Sequence, residues 1–122
     1  MPEHDPRENH ILDALPAEER DRLFPHMQLI EMPLGMSVYE SGDVQRFIYF
    51  PTDSIVSLLY VLKNGASAEI AVVGNEGAIG VALFMGGETT PSRAIVQSAG
   101  SAYRLSRLMF GVPWSFTFSQ AS

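Results

Sequence analysis

The sequence predicts a mainly β fold, a sandwich, jelly roll or barrel entered through two short helices, and three observations carry that expectation. From Met27 onward the apolar spacing changes from about 3.6 residues to 2, with Met27, Leu29 and Glu31 on one side and Gln28, Ile30 and Met32 on the other. Every separator between the candidate strands contains Gly or Pro. No long helical pattern alternates with the strands, which argues against a parallel α/β sheet.

The lead-in comes first. Residues 10–15 place Ile11, Leu12 and Leu15 on one helical side, and Asn9 has the side chain of an N-cap. A second helix is expected to start at Pro16, whose ring suits the first helical position. Glu18, Glu19 and Asp21 set negative charge near its N-terminus, and Pro25 ends it after Leu23 and Phe24. Strands are predicted at 27–32, 37–40, 47–50, 54–62, 67–73, 93–98 and 102–106. Asn64-Gly65 predicts a hairpin through a type I′ turn, in which both central residues take positive φ.

Composition bounds the function. At 122 residues, 46% of them hydrophobic and 18% charged, the chain is sized for one folded domain. The absence of cysteine excludes disulfides, thiolate metal sites and thiol redox switches. Met1 to His10 is polar and acidic, the reverse of a secretory signal, so the cytoplasm is the expected location. The most apolar stretch, residues 54–62, is less than half of the roughly 20 residues a membrane-spanning helix needs. With 8 basic against 14 acidic residues the net charge is -6, a poor starting point for holding a polyanion.

Chemistry-bearing patterns are few. His4, His10 and His26 all precede the β region, so barrel strands carry no histidine for a cupin-type metal site, and the metal expectation is none. Glu18-Glu19 fits a helix start and Glu40 with Asp43 fits a β-turn. No G-x-S-x-G elbow or P-loop is present, and the catalytic expectation is none.

Read in order, residues 11–20, the turn from Pro33 to Asp43, the run from Phe47 to Ser57, and Gly74-Asn75-Glu76-Gly77 followed by Arg93-Ala94-Ile95-Val96-Gln97 resemble the effector domain of Crp/Fnr-family transcription regulators. The resemblance implies a double-stranded β-helix, or jelly roll, over residues 9–106. Residues 1–8 are then an N-terminal tail, and 107–122 an atypical apolar C-terminal tail standing where the family's dimerisation helix begins. A truncated or frame-shifted gene would produce such a tail. The family's winged helix-turn-helix would follow, so DNA contact would come only through a C-terminal domain absent here. The family is typically homodimeric.

The resemblance also implies a pocket for a cyclic nucleotide or another small anionic effector. Arg93 is its candidate phosphate ligand, and Gly77, Ala78, Ile79 and Gly80, with Ala94 beside the arginine, complete it through backbone amides. Two alternatives stay open: Arg93 as a solvent-facing strand residue, with Gly77 and Gly80 at corners, and the whole chain as a stand-alone interaction module. Cyclic-nucleotide binders of the family carry a Glu where Ala78 stands. A methyl group accepts no hydrogen bond, and leaving a ligand hydroxyl unpaired costs about 1–3 kcal/mol.

Overall fold

The structure, a computed structural model, describes residues 4–43, 46–80 and 92–106. The expected apolar tail at 107–122 lies outside the described residues. Within them the period-2 reading holds: β1 Gln28–Met32, β2 Ser37–Tyr39, β3 Phe47–Pro51, β4 Ile55–Val61, β5 Ser67–Val73, β6 Ser92–Ser98 and β7 Gly100–Ser106 follow one another in the expected order. Ends differ from expectation by one or two residues because pairing, not composition, sets where a ladder stops.

The strands form two antiparallel sheets. A three-stranded sheet has the order β1-β7-β3 and a four-stranded sheet the order β2-β6-β4-β5. β1 and β3 flank β7, with Gln28 and Tyr49 both opposite Arg104. β4 lies between β5 and β6, with Leu58 opposite Ala71 and Ala94, and Tyr60 opposite Ala68 and Ser92.

The helical lead-in covers the outer face of the three-stranded sheet. α1 His10–Asp13 and α2 Ala17–Leu23 place Leu12, Leu15 and Leu23 against Ile48, Phe50 and Leu105 in one buried cluster. The opposite face of that sheet contributes Met32, Tyr49 and Ala102 to a second cluster, shared with Tyr39, Val56, Ala94 and Val96 of the four-stranded sheet. β3 is therefore apolar on both faces, which is why Phe47-Ile48-Tyr49-Phe50 reads as a continuous apolar run rather than an alternating one.

Local chemistry departs from the expectation in three places. Residues 6–8 form a 3-10 turn capped by Asp5, so the tail is ordered from that point. Pro16 is the N-cap residue of α2 rather than its first helical position; α2 does end at Leu23 with Phe24 as its C-cap, ahead of Pro25, and Phe24–His26 follows as a 3-10 turn. In the β4–β5 hairpin only Gly65 takes positive φ, at 86°, and no non-glycine residue does. The Gly65 amide donates to the Leu62 carbonyl at 2.9 Å and the Leu62 amide to the Ala66 carbonyl at 2.8 Å. That is a three-residue loop with a glycine bulge, not the type I′ turn, and it spares Asn64 a left-handed conformation. The Asn64 side chain instead accepts from the Ala66 amide at 3.0 Å.

The corner joining the sheets is tight. β3 passes to β4 through Thr52, Asp53 and Ser54, and all three bond the β6–β7 corner through Ser101. A Cβ on Gly100 would stand 2.6 Å from the Asp53 carbonyl carbon, so the two chains approach this closely only because position 100 is glycine.

Candidate effector site

Strand alternation decides which side chains can meet a ligand between the sheets. On β6, Ser92, Ala94 and Val96 are buried and face inward, while Arg93 and Ile95 face the opposite side. Arg93 Nη2 donates to Glu40 Oε2 at 3.1 Å, and Glu40 also accepts from the Ser37 hydroxyl. The Arg93 Nε is buried without a hydrogen-bond partner. The guanidinium is thus held on the outer face by a partly exposed ion pair at the end of β2. Glu40, which the sequence assigned to a turn, does close that turn, since Asp43 N–H donates to the Glu40 carbonyl at 3.0 Å. The same residue also neutralises Arg93.

Residues 77–80 run along the free edge of β3. Ile79 exchanges both backbone hydrogen bonds with Tyr49, at 2.9 and 3.0 Å, and its side chain joins the inter-sheet cluster. The Gly77 amide donates to the Gly74 carbonyl at 3.2 Å. Two of the amides expected to cradle an anion are therefore engaged within the chain. Ala78 turns its methyl group into the cluster beneath the helices. Gly80 takes φ 99°, a left-handed conformation that a side chain would strain. Ile79 and Ala94 share the inter-sheet cluster; Ala78 and Arg93 lie outside it, on two different faces.

A hinge-like anchor was missed by sequence reasoning. Asn9 is fully buried and uses its whole amide: Oδ1 accepts from the Ile11 and Leu12 amides as the α1 cap, and Nδ2 donates to the carbonyls of Pro51 and Gly77, both at 2.8 Å. The His10 amide adds a bond to the Asn75 carbonyl at 2.7 Å. The cap was legible from the sequence; the two long-range donations were not. Next to them, Glu76 Oε1 accepts from the Gly74 amide at 3.0 Å, and the Gly74 and Glu76 amides hold this carboxyl below its usual range.

Polar groups also line the inner face at the start of β6. Tyr39 and Ser92, 8% and 9% exposed, share a 3.1 Å hydroxyl contact, and Tyr60 stands across from Ser92. A separate shallow cleft of about 240 Å³ lies at the other, corner end of the sheets, between residues 52–55 and 74–76. Among the described residues no group of three or more His, Asp or Glu could hold a metal ion. No described helix is long and apolar enough to cross a membrane.

No protein-family model and no curated protein sequence matches this chain. Solved structures do. The catabolite activator protein of Thermus thermophilus superposes with a TM-score of 0.74 at 17% identity, over 91% of this chain and 53% of that one. The regulatory domain of Toxoplasma gondii PKA with cAMP gives 0.80 at 16% identity, over 97% of this chain and 49% of that one. The fold is that of a cyclic-nucleotide-binding domain. The N-terminal domain of a transcriptional regulator from Streptomyces coelicolor A3(2) gives 0.75 at 20% identity, over 96% of this chain and 87% of that one. This chain spans about half the length of the first two, so the cyclic-nucleotide-binding-type roll is the part it has in common with them.

Proposed function

We propose that the chain is an effector-sensing domain of a Crp/Fnr-type transcription regulator, with no catalytic activity and no DNA contact of its own. The observation that carries this reading is a cyclic-nucleotide-binding-type roll in which residues 77–80 are bonded both to β3, through Ile79 and Tyr49, and to the helical lead-in, through Gly77 and Asn9. A ligand settling against that segment would act directly on the lead-in. Its ligand region comprises Gly77, Ala78, Ile79, Gly80, Arg93 and Ala94, and the effector is a cyclic nucleotide or another small anion. For Arg93 to serve, it must exchange Glu40 for the ligand. The regulator acts from the cytoplasm, and its DNA reader lies outside these 122 residues.

Calorimetry against cyclic nucleotides and other small anions tests the sensing role, with saturable one-site binding expected. A mobility-shift assay tests the division of labour: tight, sequence-specific DNA binding by residues 1–122 alone would overturn it.

A second reading, a non-catalytic interaction module that has lost nucleotide binding, is favoured by the packed methyl group of Ala78 and by the exposed edge strand β5. Ile70 and Val72 on that strand are 59% and 47% exposed. Absence of any small-molecule binding, together with self-association or partner capture lost on Ile70→Ser, would support the module.

A further inference from the structure

Arg104 sits at the centre of the three-stranded sheet, opposite Gln28 on one side and Tyr49 on the other. Its neighbour Leu105 belongs to the cluster beneath the helices, whereas Ala102 and Tyr49 belong to the cluster between the sheets. Alternation therefore turns Arg104 toward the inter-sheet space. Its guanidinium carbon lies 4.2 Å from the centroid of the Phe47 ring, and its Nε donates to Gln28 Oε1 at 2.9 Å. Both contacts are neutral. Arg7, Arg22 and Arg93 each pair with a carboxylate, but among the described residues none pairs with Arg104.

The two sheets have two distinct ends. The corner at residues 52–54 and 98–101 closes one, through the bonds to Ser101. At the other end, Phe47, Arg104 and Gln28 of one sheet stand where β6 begins with Ser92, beside Tyr39 and Tyr60. No Lys, Arg or His occurs between Asn64 and Ser92, so the segment joining β5 to β6 supplies no cation of its own.

We propose that Arg104, on the inter-sheet face of β7 at this end, receives the charged group of the effector, and that the effector is a small oxyanion, either a phosphate ester or a carboxylate. The proposal rests on the sensing role above and deepens it. A ring against one face of the guanidinium and a single bond to Nε fix its plane while leaving the two terminal nitrogens as a fork, the geometry that grips an oxyanion bidentately. The Tyr39 and Tyr60 hydroxyls of the facing sheet supply neutral hydrogen-bonding partners for the remainder of the ligand.

The test is calorimetry on the full chain with cAMP, cGMP and succinate as separate arms and adenosine as the uncharged comparator, using wild type, Arg104→Gln, Arg104→Lys and Arg93→Gln. Thermal melts confirm that each variant is folded. The expected result is an anion affinity at least about tenfold weaker in Arg104→Gln and intermediate in Arg104→Lys. Adenosine binding stays unchanged across the set. The arm that responds assigns the oxyanion to a phosphodiester or a carboxylate. Equal losses for adenosine and the anions would make Arg104 a packing residue and overturn the proposal, as would a loss confined to Arg93→Gln. Anion binding that ignores Arg104 sinks this inference alone; no binding in any arm sinks the sensing role with it.

Discussion

Asn9 Nδ2 donates to the Gly77 carbonyl at 2.8 Å across 68 positions of sequence, so the first helix and the turn that opens residues 77–80 are held by one buried amide. The same nitrogen reaches the Pro51 carbonyl, and the same side chain caps α1. Helix start, strand end and turn consequently move as a unit.

Replacing that amide should be costly. Asn9→Ala removes the cap and leaves two carbonyls without their donor, for an expected loss of about 2–4 kcal/mol in urea denaturation. Asn9→Asp keeps the cap acceptor but presents a carboxylate to the Pro51 and Gly77 carbonyls, so it should also destabilise at pH 7. A variant with unchanged stability would show that the lead-in is not fastened through this residue.

Gly100→Ala should lose about 1–3 kcal/mol, because the new methyl group overlaps the Asp53 backbone and one strand must shift. Hydrogen exchange supplies a local readout. The Ser101 amide, which donates to Asp53 Oδ1 at 2.6 Å, should exchange faster in the variant than in wild type.

Glu76 provides a pH dependence of known sign. The Gly74 and Glu76 amides lower its folded pKa, so its contribution is present above the unfolded pKa and disappears as pH falls through the lower folded value. Wild type should be more stable than Glu76→Gln at pH 7, and the difference should close as pH falls through and below the ordinary glutamate range. A gap that widens on acidification would contradict the assignment.

The Glu40–Arg93 pair is partly exposed, and a double-mutant cycle with Glu40→Gln and Arg93→Gln should return a coupling below about 1 kcal/mol. A substantially larger value would mean that the pair organises the β2–β6 edge rather than merely occupying it.

Strand positions were legible because the separators are local chemistry: Gly35, Gly42 and Gly65 all take positive φ at the turns where the sequence places them. The hairpin at Asn64-Gly65 was legible in place but not in type, since loop length depends on how β4 and β5 register against each other. Arg93 and Ala94 were assigned to one pocket, although consecutive strand residues point to opposite faces; that conflict was already visible in the sequence. Arg104 left no comparable mark. It follows Tyr103 and precedes Leu105, both buried, and period 2 says only that it opposes them.

The order of the strands, the helical lead-in and the Asn9 cap follow from residue type and spacing, since turns, caps and pleats are settled within a few residues. Which face of a strand meets the helices, which meets the second sheet, and therefore which arginine faces the space between the sheets, was decided only when the two sheets stacked. The three-stranded sheet is covered on both sides, and a strand buried on both faces carries no sequence signal telling one cover from the other.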